Sequence, residues 1–432
     1  MRRLSGLKAL LGTLGLCALA IMPMGCAQPY PFGNPQAEAR VIGDLSEPVA
    51  LEPLANMTVV PVTINGRTGF HFLLDTGATP TALFLTDKTR ALALTGAGEF
   101  RPGGAGEGPA VAGTVATGVG LRIGAVELDN VAVVLLPASV LPILGDEKSF
   151  LIDGVIGYDV FSRFAVEVDY AKQRLRFFPP GTAPVLPGDS VLPLEVRGGQ
   201  AFVSLRLAQR PGEQSSLAHL HLDSGMSGSL ALRIGSGAGI GRPEYAWAST
   251  GYGLQGAVQS LSASLARLQV GAVELTDLPT YFEANMDAFA GRQGRLGHGV
   301  LQRFVHTVDF ESKRLILRAD ANTTRPDPQG VTGLGVVPYG DGFVIRRVQP
   351  GTPAAAQGIE SGERVISLAG EPLVGKSSRQ VASMLELEPG QSIEVCIAAK
   401  ASPCRTLTAA DYRRPPASGP SNPPSQPDLR TN

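Results

Sequence analysis

Phe72-Leu73-Leu74-Asp75-Thr76-Gly77-Ala78 decides the fold, together with its later echo Leu220-His221-Leu222-Asp223-Ser224-Gly225-Met226. In each, an apolar run of strand character stops at an aspartate. A small hydroxyl residue and a glycine follow, so the backbone can turn sharply there. A carboxylate at the end of a buried strand is open to pKa tuning by desolvation and by its neighbours. One Asp-x-Gly is common turn chemistry. Two of them, each in matching surroundings, carry more weight.

The surroundings do match, as an internal repeat. Leu121-Arg122-Ile123-Gly124-Ala125-Val126-Glu127-Leu128 follows the first aspartate, and Leu268-Gln269-Val270-Gly271-Ala272-Val273-Glu274-Leu275 follows the second. Gly154-Val155-Ile156-Gly157 leads through Arg163-Phe164 to Val168-Asp169-Tyr170; Gly294-Arg295-Leu296-Gly297 leads through Arg303-Phe304 to Val308-Asp309-Phe310. Asp75 to Asp223, Gly124 to Gly271 and Gly157 to Gly297 are separated by 148, 147 and 140 positions. Order is kept and only loop lengths change, as in a duplicated domain.

These residues resemble the pepsin and retropepsin superfamily of aspartic proteases, over roughly residues 50 to 320. That family carries Asp-Thr/Ser-Gly in each lobe, then a hydrophobic-hydrophobic-Gly segment and a short helix. Val155-Ile156-Gly157 fits the second element; Arg295-Leu296-Gly297 departs at Arg295, and Asp223-Ser224-Gly225 is followed by Met226 where a small or hydroxyl residue is usual. The resemblance implies a mainly β fold: two tandem closed β lobes forming a pepsin-like pseudo-dimer. It makes Asp75, Thr76, Gly77, Asp223, Ser224 and Gly225 the catalytic set, with Thr76 and Ser224 hydrogen-bonded to the carboxylates.

Composition agrees with that fold class. At 432 residues, two or three domains are expected. Hydrophobic content of 44% against 17% charged allows a sizeable core, and 53 Gly with 34 Pro favour short strands and turns. A formal charge of −1 with no basic stripe excludes nucleic acid as an expected partner.

Residues 1–26 read as a signal peptide: Arg2, Arg3 and Lys8 precede the apolar run Ala9 to Met22, too short for a membrane span. Gly25-Cys26 resembles the end of a bacterial lipobox, which would lipidate Cys26; Pro23 departs from it, so ordinary cleavage after Ala27 stays open. The chain is thus expected to be exported and periplasmic, touching a membrane only through a lipid anchor. A Pro-rich linker over 27–49 leads to lobe one (50–180) and, past Pro179, Pro180 and Pro187, to lobe two (190–320).

In lobe one, Val59 to Ile64, Asn65-Gly66 and Phe70 to Leu74 read as a hairpin that delivers Asp75. The Gly-rich stretch 101–108, with Gly104 and Gly106, sits where the family places its substrate-closing flap; a plain solvent loop is the other reading. Thr250 to Gly256 is the flap candidate of lobe two, with Tyr252 and Gly253 as substrate contacts or as ordinary loop residues. His71 and His219 each precede an aspartate by four positions, but nothing completes ligand spacing, so no metal is expected. No cofactor motif is visible.

Residues 321–330 read as a linker. Beyond it, Gly333-Leu334-Gly335-Val336, Gly342 to Val348, Gly351 to Ile359 and Gly362 to Ile366 resemble a PDZ domain, a small α/β module over 331–412. In that family the Gly-Leu-Gly loop, here Gly333, Leu334 and Gly335 with Val336, offers backbone N–H groups to a C-terminal peptide. Pro338 lacks one strand donor, so a docking module that binds no free C-terminus stays open. Cys396 and Cys404 flank a hairpin there, and export permits a disulfide, although spacing alone leaves it undecided. A disordered tail is expected over 413–432.

Two carboxylates about 3 Å apart cannot both stay ionised and share one proton. The reading is an aspartic endopeptidase that is monomeric, because both half-sites lie in one chain, and that acts on peptides or proteins. The alternative is a non-catalytic binder using the same cleft and the PDZ domain. A serine enzyme with Ser224 or Ser227 as nucleophile would need a His base held by an Asp, and no nucleophile-elbow sequence surrounds either serine.

Overall fold

The structure, a computed structural model, describes residues 37–52, 54, 57–141, 144, 151–285, 292–398 and 403–414. The expected signal peptide with Cys26, and the tail beyond 414, lie outside the described residues.

Lobe one grows from the hairpin Val59–Ile64 and Arg67–Leu74. Its turn residues Asn65 and Gly66 both take positive φ (47° and 77°), which a two-residue turn needs to follow the twist of its strands. Arg67–Leu74 gains Gly154–Ile156 as a parallel neighbour, Phe72 opposite Gly154 and Leu74 opposite Ile156. A Cβ on Gly154 would lie 2.4 Å from the Phe72 ring, so only glycine lets that strand in. Six strands then close on themselves: Val126–Pro137, Thr81–Leu85, Gly154–Ile156, Arg67–Leu74, Val59–Ile64 and Gly113–Ile123, which pairs back to Val126–Pro137.

Lobe two repeats the ring in the same order. Val273–Glu283, Leu230–Arg233, Gly294–Gly297, Ser216–Asp223, Gln200–Ala208 and Gly256–Val270 close it. Closed rings leave no long open edges, and Phe72, Leu74, Leu222, Leu296 and Phe282 fill a continuous core.

The lobes share a third sheet. Ser190–Arg197, Arg314–Ala319, Phe304–Asp309, Ala165–Asp169 and Arg174–Phe178 run in that order, with Val166 opposite Val308 at the seam. Each half contributes a hairpin to this sheet, so the Ala165–Phe178 hairpin belongs to the joint between lobes and not to the lobe-one barrel.

Two expected linkers are corrected. Within 27–49, Glu38–Val41 forms a strand antiparallel to Val126–Pro137, held by Arg40 against Glu127 (3.1 Å) and Asp129 (2.9 Å). Within 321–330, Arg303 Nη1 donates to the carbonyls of Thr323 (3.3 Å) and Arg325 (2.6 Å), and Thr323 is buried. Captured carbonyls, not composition, fix that segment.

The C-terminal domain has its own sheet, Leu334–Tyr339, Gly342–Val348, Arg364–Leu368, Ser392–Ile397 and Cys404–Thr408, around a core of Phe343, Ile345, Leu368, Val381 and Leu407. Helix Ser378–Met384 starts with a capping box between Ser377 and Gln380. Cys396 and Cys404 face each other across two strands and form a disulfide. Tyr412 anchors the domain: its hydroxyl meets Ser262 Oγ (2.7 Å), and its carbonyl accepts from Trp247 Nε1 (3.2 Å) on lobe two.

Candidate active site

Each aspartate leaves its strand at an equivalent place. Asp75 N donates to the carbonyl of Ile156 (2.9 Å), and Asp223 lies opposite Gly297 in the parallel pair. The turns are then locked to the next segment: Tyr158 N donates to Ala78 O (3.0 Å) and His298 N to Met226 O (2.9 Å). A Cβ on Gly157 would sit 2.2 Å from the Asp75 carbonyl, and one on Gly297 2.3 Å from that of Gly228. Met226 therefore keeps the backbone role of Ala78, with its side chain turned against Gly297.

The two turns interlock. Thr76 Oγ1 donates to Leu222 O (2.7 Å) and accepts from Ser224 N (3.0 Å); Ser224 Oγ donates to Leu74 O (3.0 Å) and accepts from Thr76 N (3.0 Å). The expectation that these hydroxyls hold the carboxylates is corrected. They are spent on the opposite lobe's backbone, because a buried strand end there has carbonyl and N–H groups that need partners. Backbone amides hold the carboxylates instead. Asp75 Oδ1 accepts from Gly77 N (2.7 Å) and from Gly225 N (3.0 Å) of the other lobe; Asp223 Oδ1 accepts from Met226 N (3.0 Å).

Both carboxyls border one point. A methyl group on Gly77 would lie 3.2 Å from Asp75 Oδ1 and 3.3 Å from Asp223 Cγ, and one on Gly225 would lie 2.4 Å from Asp75 Oδ2. Burial, and then the negative charge of Asp223, push the Asp75 carboxyl up to about 7, against the backbone N–H groups that favour its ionised form.

Three residues that the sequence reading did not assign to the site surround Asp223. Arg295 Nη1 lies 3.8 Å from Asp223 Oδ2, and its Nη2 donates to Glu283 Oε1 (2.7 Å). Glu283 is buried, and burial raises its pKa against the pull of Arg295. His221 is buried two residues before Asp223, and desolvation with the nearby Arg295 and Arg292 drives its imidazole down to about 4 despite Asp223. The signal for Arg295 was visible, as the charge in an otherwise apolar triplet.

Residues 60–160 match the family model described as aspartyl protease, and residues 322–398 match that of the PDZ domain. The chain carries an aspartyl protease-like domain and a PDZ domain. A solved aspartic proteinase from Irpex lacteus is similar at 14% identity and a TM-score of 0.41, over 67% of this chain and 99% of that one. No curated protein matches.

The two flap candidates of the protease-like lobes meet. Gln255 N donates to Ala105 O (2.8 Å), Gly108 N to Gln255 O (2.7 Å) and Glu107 N to Ala257 O (3.1 Å). A Cβ on Gly106 would fall 2.3 Å from Gln255 O, one on Gly253 2.3 Å from Ala105 O, and one on Gly104 2.6 Å from Leu254 Cβ. The glycines allow this close approach of the two loops, while Arg101, Gly103, Glu107 and Gly108 stay exposed. Tyr252, beside the crossing, is exposed.

In the PDZ domain Gly333 takes φ 87° and packs against the buried Thr352, which leaves no room for a side chain. Leu334–Tyr339, carrying Leu334, Gly335 and Val336, is an edge strand that among the described residues pairs with Gly342–Val348 alone and lies beside helix Ser378–Met384. Pro338 sits on that edge strand opposite Phe343. His71 and His219 face Glu52 (3.7 Å) and Glu195 (3.1 Å).

Proposed function

We propose that this protein is an exported aspartic endopeptidase that hydrolyses peptide bonds on the Asp75/Asp223 dyad, with its PDZ domain docking a substrate or partner. The observation that carries the reading is the crossed hydroxyl lock of Thr76 and Ser224, which holds two carboxyls around Gly77. An isolated structural aspartate needs neither the lock nor a second carboxyl.

In the proposed reaction one ionised carboxylate takes a proton from water, and the resulting hydroxide adds to the scissile carbonyl carbon. The protonated partner donates to the carbonyl oxygen. Collapse of the tetrahedral intermediate breaks the C–N bond: the leaving nitrogen takes the proton released from water, and one hydroxyl of the intermediate returns its proton to the partner carboxylate as the carbonyl re-forms. A carboxyl raised to about 7 stays protonated in mildly acidic solution, as the acid role requires. Both half-sites lie in one chain, so a monomer suffices.

Export is proposed from the charged and apolar N-terminal pattern, with Cys26 as lipid anchor or ordinary cleavage nearby; the Cys396–Cys404 disulfide fits an oxidising compartment. Peptide docking is proposed along the open edge of Leu334–Tyr339. The test is an unbiased peptide-library cleavage profile across pH, with and without pepstatin. Pepstatin-sensitive cuts support the proposal; no cuts at any pH, or cuts blocked by a fluorophosphonate instead, overturn it.

A further inference from the structure

The duplication is broken at one place beside the dyad. Leu73 and Val155 are opposite each other in lobe one, and His221 and Arg295 occupy the same register in lobe two. Arg295 also lies opposite Ala231, as Val155 lies opposite Ala82. One strand further, Leu136 opposite Phe84 becomes Glu283 opposite Arg233. Three apolar positions of one lobe are thus His, Arg and Glu in the other, and all three converge on Asp223. Among the described residues no arginine or glutamate is paired with Asp75, while the His221 ring reaches the point at Gly77 that both carboxyls border.

We propose that Arg295 is a positioning residue that breaks the symmetry of the dyad, holding the negative charge on Asp223 and leaving the shared proton on Asp75. The proposal rests on the dyad reading above and goes further, because it assigns the roles: Asp223 takes the proton from water and Asp75 donates to the carbonyl oxygen.

Glu283 fixes the guanidinium by its 2.7 Å bond to Nη2, which leaves Nη1 facing Asp223. Both Arg295 and Asp223 are largely buried, with side chains 11% and 15% exposed, so solvent screens this pair weakly. Asp75 holds two backbone N–H donors, which favour charge on it; the guanidinium on the Asp223 side, shared with Glu283, opposes them. The direction agrees with the raised Asp75 carboxyl.

The other ionisable groups facing the pair are Asp75, His221 on the Asp223 strand, Glu283 on Val273–Glu283, Arg292 just ahead of Gly294–Gly297, and Glu107 near Glu283. His221 is held neutral by burial down to about 4, so it adds no charge in the range of the test.

The test uses the full exported chain as wild type, Arg295→Met and Glu283→Gln, each checked for fold by circular dichroism. One readout is the pH profile of kcat/KM on a cleaved peptide. The other is the titration of the two carboxyl carbons by NMR of protein labelled at aspartate. Removing the cation should move the acid limb of the profile to higher pH by about one to three pH units. Glu283→Gln removes the competing anion and should move it to lower pH. Opposite directions support the assignment, because loss of a merely structural contact would move both variants alike.

An unmoved limb, movement of both in one direction, or a first proton landing on Asp223 in the wild type overturns it. If Arg295→Met fails to fold, the direction of Glu283→Gln decides alone. If no peptide is cut but the carboxyl titrations move as stated, the Arg295 assignment stands and the endopeptidase proposal falls. If peptides are cut and the limb stays, the reverse holds.

Discussion

Thr76 and Ser224 exchange hydroxyls across the lobes: each side chain donates to a carbonyl at the end of the other lobe's strand and accepts the other's backbone N–H. Four hydrogen bonds inside a buried turn tie the two aspartates to one frame. The backbones that carry the two carboxyls are thereby held in one fixed arrangement.

Thr76→Val keeps shape and removes the hydroxyl, so Ser224 N and Leu222 O lose their partner in a buried place. Each group left unpaired should cost about 1–3 kcal/mol, seen as a lowered denaturant midpoint with unchanged m-value. Thr76→Ser keeps the bonds and should lose only about 1 kcal/mol for the missing methyl. Equal losses in the two variants would show that the hydroxyl lock contributes nothing.

Stability should fall in acid. Burial lowers His298 to about 3 and His306 and His221 to about 4, all from an ordinary value near 6.5. The unfolded chain protonates these groups as pH drops through about 6.5 while the folded chain does not, so their contribution is full above that pH and is lost as pH falls toward their folded values. Asp75 acts the other way: its folded value of about 7 lies above its unfolded one of 3.8, so it favours folding below about 3.8 and loses that contribution as pH rises through about 7. Burial raises Asp159, Glu283 and Asp327 too, and these act with Asp75 to offset part of the loss; the three histidines, at about 1.4 kcal/mol per pH unit, supply an acid loss between pH 7 and 4.5 on the order of several kcal/mol before that offset. Thermal melts across this range check it; a flat profile contradicts it. His306→Leu should flatten part of the slope.

Gly106→Val should disturb the flap crossing. Gly106 takes φ 130°, and its Cβ would press on Gln255 O. Cleavage should fall with KM rising, while the midpoint of unfolding moves little, because the segment carries few core contacts. Unchanged KM with intact fold would remove the flap role from 101–108.

Much of this was legible in the chain because it is local. The strand-Asp-Thr/Ser-Gly runs, the Asn65-Gly66 turn, Gly157 and Gly297, and the Gly333 loop are all set by near neighbours, and the duplication doubled each signal. What could not be read depends on register. Glu283 meets Arg295 only through the parallel pairing of Val273–Glu283 with Leu230–Arg233. The hydroxyl exchange needs both lobes docked. The 321–330 stretch looked like a linker by its prolines, yet Arg303 captures its carbonyls from far along the chain. Glycines at 104, 106 and 253 signalled loops, while their partner was another loop's backbone.

Tyr412→Phe removes two buried bonds, to Ser262 Oγ and to the Ala263 carbonyl, and should cost about 1–3 kcal/mol for each group left unpaired, while Tyr412→Ala should free the PDZ domain from lobe two. Faster limited proteolysis within 320–332 in the alanine variant checks this; equal rates in wild type and Tyr412→Ala would show that the anchor does not hold the domain.

The most direct measurement is cleavage of an unfolded protein such as casein by wild type, Asp75→Asn and Asp223→Asn at pH 5.5 to 7, each variant verified as folded. The wild type should cut and both variants should lose activity by several orders of magnitude, since neither carboxyl alone can fill both proton roles. Full activity in either asparagine variant would contradict a shared Asp75/Asp223 site.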